Sequence, residues 1–403
     1  MKVEKDLSDV DLPPEDRDFS LVLGGPLYQL LRRTRMADDA MEMLWRRIIF
    51  VTLFCWLPLF VLSMFEGTLV GDSVAVTFLP DVQTHIRFLV AIPLLVGAEL
   101  VVHRRFRPLV LQFLERDLVA RQDMPKFRAA IESAMRLRNS LSAEVILIVL
   151  VYVVGVMVIW RQYLALDLST WYAVSAGDGW GGSFAGFWYG YVSLPFFQFL
   201  LLRWYFRIFI WARFLWQVSR INLQLIATHP DRAGGLGFLS GTAYAFIPLL
   251  MAHGALLAAL IADRIFFLGE TLPDFRLEII VMIVFLLCLV QGPLLVFVGQ
   301  LSAAKRKAKR EYGKLAQDYV RQFDTKWLRG GVAADDRLMG SADIQSLADL
   351  DSSYDVVQSM HVVLFSKQAL LTFAGAIFAP IVPLALTMMP LEALLDRLFG
   401  VLF

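Results

Sequence analysis

Seven stretches of roughly 20 mainly apolar residues recur along the chain, and no other feature limits its fold so strongly. They run from Ile48 to Phe65, Ile86 to Val102, Leu141 to Trp160, Ala185 to Trp204, Thr242 to Ala262, Leu277 to Val298 and Gln368 to Met389. A helix of about 20 residues crosses the ~30 Å hydrocarbon layer with every backbone N–H and C=O bonded within itself, which a loop or open strand in lipid cannot achieve. Of 403 residues, 58% are hydrophobic and only 19% charged, and a water-soluble globule of that size has no interior large enough to hide so much apolar side chain. The pattern predicts an all-α, polytopic transmembrane helical bundle of about seven spans. Pro380 and Pro383 leave the last span open between a full crossing and a re-entrant loop.

A net charge of +1 provides no basic excess for phosphate neutralisation, so nucleic acid is not an expected partner. Cys55 and Cys288 each lie alone in an apolar run, which fits neither a disulfide framework nor a Cys-based zinc site. The first 18 residues are acidic and polar, unlike a signal peptide, so the first span is expected to be its own insertion signal.

Lysine and arginine beside the spans orient such a bundle. Arg46 and Arg47 precede the first span, Arg104, Arg105 and Arg107 follow the second, and Lys305 to Arg310 follow the sixth. The alternate connections carry Glu66, Asp72 and Asp81, then Asp167 and Asp178, then Glu270 and Asp274. Every connection agrees with a cytoplasmic N-terminus and an external C-terminus. Trp204, Tyr205, Trp211 and Trp216, interleaved with arginines, fit an aromatic girdle at the inner interface.

On this topology residues 1–44 form a cytoplasmic segment in which Gly25-Pro26 opens an amphipathic helix, with Leu27, Leu30 and Leu31 opposite Arg32, Arg33 and Arg35. Residues 45–102 make a transmembrane hairpin and 103–140 cytoplasmic helices. Residues 141–300 hold spans three to six, with a glycine-rich turn at 228–238, and 301–367 make a cytoplasmic helical layer. Residues 368–403 carry the last span and a short external tail. Asp123 followed by Pro125 predicts a cap from which one helix continues into the third span. Ser341 and Ser353 predict the starts of two short helices.

No metalloprotease, nucleophile-elbow, P-loop, CxxC or EF-hand pattern is present, so no catalytic residue, metal ligand or cofactor is expected. Three constellations are candidates. His253 and Gln291 fall near the middle of the fifth and sixth spans, where polar groups are costly and usually partnered or functional. Glu99 and Glu144 lie near the inner ends of the second and third spans, level with Arg203 and Arg207 of the fourth. They fit either a static brace or one end of an ion path. The run from Thr228 to Phe238 contains His229, Asp231, Arg232, Gly234, Gly235 and Gly237, and its glycines free backbone N–H groups as in an anion or phosphate cradle. A tight interhelical turn capped by Asp231 or Thr228 explains the same residues.

The runs HPDRAGGLGF (His229–Phe238) and GSADIQSLADL (Gly340–Leu350) resemble stretches of an uncharacterised group of bacterial polytopic membrane proteins, a likeness that extends from WRRIIF at Trp45 to the final span. The resemblance implies a bacterial inner-membrane location and no particular activity. The sequence therefore points to a channel- or transporter-like protein for a small ion or solute, expected as a homo-oligomer in the lipid bilayer. A scaffold docking a cytoplasmic protein partner, or a membrane enzyme on a lipid-linked phosphate, are the alternatives.

Overall fold

The computed structural model describes residues 19–22, 24–25, 44–71, 74–160, 170–172, 183–331 and 342–387. The expected amphipathic helix after Gly25-Pro26 and the external tail lie outside the described residues. Among those residues the regular structure is helical, with two isolated bridges, Val76 with Thr170 and Val119 with Leu223, in the connecting segments. Six helices are long and apolar enough to cross a bilayer, and seven if one bent pair is counted as a single span. They are α1 (Leu44–Phe65), α2 (Val82–Glu115), the bent pair α3 (Met124–Arg138) and α4 (Leu141–Leu150), α5 (Phe184–Val218), α6 (Gly237–Leu268), α7 (Leu272–Leu328) and, after α8 (Ala342–Ser359), α9 (Lys367–Thr387). The chain is an integral membrane helical bundle.

Prolines accompany most irregularities of the spans, although the π-type stretch Val151–Trp160 that continues α4 contains none. A proline removes one backbone donor and clashes with the carbonyl four residues earlier, so the ladder must widen or tighten around it. π-type turns occupy Ile86–Ala91 just ahead of Pro93 and Tyr189–Ser193 just ahead of Pro195. A 3-10 turn, Tyr244–Phe246, precedes Pro248. Gly292–Phe297 and Ala379–Thr387 are 3-10 segments containing Pro293, and Pro380 with Pro383. Pro58 alone sits in an uninterrupted helix.

Two local expectations change. Asp123 does not cap α3; its carboxylate takes Lys126 Nζ at 2.7 Å. Nor does α3 run on into the third span, because the chain bends by 47° at Asn139-Ser140, where Ser140 Oγ accepts from Ala143 N and starts α4. Ser353 begins no helix either: α8 is continuous, and Ser353 Oγ donates back to the Asp349 carbonyl at 2.9 Å, a bond that leaves the helix intact. Ser341 lies outside the described residues.

The main core is an aromatic-rich body around α2, α5 and α6, and a smaller apolar cluster lies where α6 meets α9. α6 is the most enclosed span and is lined with small residues (Ala252, Gly254, Ala255, Ala258, Ala259 and Ala262), which let neighbours approach closely. α9 runs parallel to it: Tyr244 meets Phe373 (ring centroids 4.9 Å apart), Gly254 lies against the Ile377 carbonyl, and Ile261 and Ile381 share one cluster. Trp204 and Trp211, expected in a girdle, are fully buried in this core. Trp216 is half exposed, with Arg220 5.2 Å from its ring centroid.

The two ends of the bundle differ chemically. At one end Arg47, Arg203 and Arg207 converge, and Arg105 Nη1 donates to the Gly241 carbonyl. At the other, Glu66 Oε1 accepts from Phe184 N and Asp81 Oδ2 from Trp171 Nε1. At 57 residues, about 85 Å at 1.5 Å per residue, α7 far outruns a bilayer and carries its second half beyond the basic end. There α8 folds back on it, pinned by Asp343, whose carboxylate accepts from Lys326 Nζ and Trp327 Nε1. These two donors hold the Asp343 carboxyl below its usual range.

Candidate functional site

At the basic end, α1, α2, α4 and α5 bring five ionisable side chains into one buried network. Glu99 is its centre: Oε2 accepts from Arg47 Nη2, and Oε1 accepts from Arg207 Nη2 at 2.8 Å and faces Arg203 Nη1 at 3.7 Å. Arg203 Nε stands 3.8 Å from Glu144 Oε1. All five residues are at least 92% buried. Helical spacing puts them there, since Arg47 heads the buried stripe Val51, Cys55, Leu59 and Ser63, while Glu99 lies between Leu95 and Val102 on the inward face of α2. Trp204 locks the register of α5 against α2 by donating Nε1–H to the Leu95 carbonyl at 3.0 Å, and Arg207 lies 4.7 Å from its ring centroid.

Residues 19–22 and 24–25 lie beside this network. Phe19, Leu21 and Val22 are each 1% exposed, and the Phe19 ring sits 4.9 Å from that of Phe214. Arg138 Nη1 donates to the Ser20 carbonyl at 2.6 Å, Ser20 Oγ and His103 Nδ1 are 2.9 Å apart, and Gly25 N–H donates to Asn139 Oδ1 at 3.0 Å. Gly24 and Gly25 adopt φ of +137° and +89°, and a Cβ on Gly24 would meet the Arg138 guanidinium at 2.6 Å. Only glycine fits there.

The structure joins Glu99, Glu144, Arg203 and Arg207 and adds Arg47, which sequence reasoning took for a flanking charge. It does not pair His253 with Gln291. Tyr205 Oη lies 2.7 Å from His253 Nε2, and His253 Nδ1 lies 2.8 Å from the Leu249 carbonyl, so Nδ1 carries the proton and the imidazole is satisfied at both ends. Gln291 is 3% exposed, directly before the Gly292-Pro293 break in α7, and neither atom of its amide finds a partner.

In the 228–238 turn the backbone donors do converge on an anion, which is Asp231 itself. Its Oδ1 accepts from Ala233 N (2.8 Å) and Gly235 N (3.1 Å), and its Oδ2 from Gly237 N (2.9 Å). His229 Nδ1 lies 2.9 Å from Oδ1, and Arg116 bonds the Gly235 carbonyl at 2.9 Å. Arg232, Gly234 and Gly235 take φ of +51°, +64° and +96°, the curvature that turns the amides of Ala233, Gly235 and Gly237 inward. Burial works against the Asp231 carboxylate, but the N–H groups of Ala233, Gly237 and Gly235, with His229, outweigh it and hold the group below its usual range.

A second polar cluster, unforeseen in the sequence, lies at the acidic end. Asp81 is 7% exposed and binds Thr84 through N–H (2.9 Å) and hydroxyl (2.7 Å), and Trp171 through its indole (2.8 Å). Arg87 donates to the Tyr189 hydroxyl, and Trp56 Nε1 donates to His85 Nδ1 at 2.9 Å. The D-x-x-T spacing was its one legible signal, because the aromatic partners come from distant parts of the chain, Trp56 from α1, Tyr189 from α5 and Trp171 from a connecting loop. No group of three or more His, Cys, Asp or Glu among the described residues is placed to hold a metal ion. Compared with protein-family models, curated proteins and solved structures, the chain matches none.

Proposed function

We propose that this integral membrane protein moves or gates a small ion or solute across a bacterial inner membrane, with its N-terminus and the α7–α8 hairpin cytoplasmic and its C-terminus external. One observation carries the proposal: four helices bring Arg47, Glu99, Glu144, Arg203 and Arg207 together at their basic end, more than nine-tenths buried. Ionisable groups inside a bundle are costly, and swapping such pairs for apolar residues often costs no stability, so their presence there favours a role in ion handling. The unpartnered Gln291 amide at the α7 break adds a polar point along the same bundle. The basic end faces the cytoplasm on this proposal because retained lysines and arginines accumulate there. Assembly as a homo-oligomer belongs to the proposal as well.

The test is flux through proteoliposomes holding the purified protein, for cations, anions and protons, with and without an applied potential. Flux that falls at least tenfold in Arg203→Gln, and in Gln291→Leu combined with His253→Leu, supports the proposal. Silence from folded protein for every ion overturns it.

A second function draws on the projecting hairpin. Leu315, Val320, Leu328 and Ile344 are each at least 46% exposed on α7 and α8, and a groove of about 510 Å³ opens between residues 222–228 and α7. A cytoplasmic protein docked there would make the spans an anchor. A stoichiometric partner that co-purifies and is lost when residues 341–360 are deleted distinguishes this function from conduction.

A further inference from the structure

A groove of about 510 Å³ opens on the outer face of α1, and helical geometry makes it. Side chains four residues apart form ridges. One ridge here is Arg46, Phe50, Phe54 and Pro58, and its neighbour is Ile49, Leu53 and Leu57. The first ridge is fixed by its surroundings: Phe50 and Phe54 stack with ring centroids 6.2 Å apart, and Phe54 meets Trp188 and Phe196 of α5 edge-on at 5.8 and 6.0 Å. From Arg46 to Pro58 the groove covers twelve residues, about 18 Å at 1.5 Å per residue. One leaflet contributes roughly 15 Å to the ~30 Å hydrocarbon layer, so the groove has the depth of a leaflet. Arg46 stands two residues ahead of the apolar run that opens at Ile48, next to the 73% exposed Trp45, which sets the head of the groove at the headgroup level. Arg46 also supplies the only charge in the lining. Its neighbour Arg47 turns inward to Glu99, whereas Arg46 is exposed and makes no hydrogen bond or ion pair among the described residues.

We propose that the α1 groove binds one glycerophospholipid, with its phosphate on the Arg46 guanidinium and one acyl chain laid between the two ridges as far as Pro58. Charge and depth carry the assignment. A planar guanidinium grips a phosphate through paired N–H donors, and below it the walls are apolar for the length of one leaflet. A second copy of the chain fits the same face poorly. Two copies related by a twofold axis along the membrane normal would set Arg46 against Arg46 at the same depth. Helix interfaces in lipid also favour small side chains, not Phe50, Leu53 and Phe54. On the proposed topology the site lies in the inner leaflet, and it is independent of what the bundle transports.

The experiment is native mass spectrometry of the full chain, purified in detergent, stripped of lipid and titrated with phosphatidylglycerol, with diacylglycerol or with glycerol phosphate. One saturable phosphatidylglycerol per chain is expected, with no binding of the other two probes, which lack the phosphate or the chains. Arg46→Gln, and Leu53→Trp, which fills the groove, each weaken that binding at least tenfold. Both side chains are exposed, so the unfolding temperature of each variant without lipid stays that of wild type. Ile146→Trp, on the outward face of α4, leaves binding intact. Unchanged affinity in either groove variant overturns the site, as does diacylglycerol that binds as tightly as phosphatidylglycerol. Leu53→Cys in Cys288→Ser protein that cross-links between copies in native membranes places a second copy in the groove and overturns it too. None of these results depends on flux, so the transport proposal and the lipid site fail separately.

Discussion

Glu99 carries more of the network than any other side chain, since both of its oxygens are committed to arginines from other helices. Glu99→Gln keeps the shape and removes the charge, leaving three buried guanidinium groups against Glu144 alone. Deleting one partner of a buried ion pair costs about 3–5 kcal/mol, so the expected result is a large drop in Tm, measured by thermal unfolding in detergent. Arg47→Gln is expected to cost less, because Arg203 and Arg207 still face the carboxylate. Asp231 gives a prediction with a pH signature. Its folded pKa lies below the unfolded value of roughly 3.9, so its contribution is complete above that value and fades as pH falls through the folded pKa. Asp231→Asn is therefore expected to lower stability by about 1–3 kcal/mol at pH 7, with the gap to wild type closing below pH ~4. An unchanged gap at low pH contradicts the role given to its carboxylate. The sequence announced four of the five network members because each charge interrupts an apolar stripe at helical spacing. Arg47 escaped notice since a basic residue at the head of a span is usually read as a topology signal. The third span's Glu144 could be placed level with Arg203, but no sequence pattern gives the 3.8 Å between them.

Among the elements, α6 has the least freedom. A Cβ built on Gly254 falls 2.0 Å from the Ile377 carbonyl, so even a methyl group forces α9 away. Gly254→Ala is expected to destabilise by about 1–3 kcal/mol. Gly241→Ala meets nothing within 4 Å and leaves Tm unchanged or slightly raised; equal effects at both positions would contradict the close packing of α6 on α9. The helices begin within about five residues of the expected starts because lipid selects long apolar runs, whereas α2, α5 and α7 run 13, 14 and 30 residues past the expected ends, where polar sequence carries the helix out of the bilayer. The 47° bend between α3 and α4 was not legible: periodicity continues across Asn139-Ser140, and only the local capping bond from Ser140 stops the helix. The single long α8 was misread for a related reason, as a serine that starts one helix can equally bond back inside another.

For the whole molecule, the separation of a basic end from an acidic end is what an orientation test can read. Residues Leu268, at the close of α6, and Leu315, in the projecting half of α7, are 65% and 54% exposed and lie toward opposite ends of the bundle. A cysteine at either position reports its side of the membrane, provided Cys288, which is exposed, is first replaced by serine; Cys55 is buried. In Cys288→Ser protein, a membrane-impermeant maleimide is expected to label Leu268→Cys in right-side-out vesicles and Leu315→Cys only in inverted ones. The reverse pattern would turn the molecule over, placing the arginine network on the external side. Labelling of both positions from one side would break the link between α6 and α7 as opposed crossings. The expected pattern puts the arginine network on the cytoplasmic side, where the buried Phe19, Leu21 and Val22 join the same apolar core.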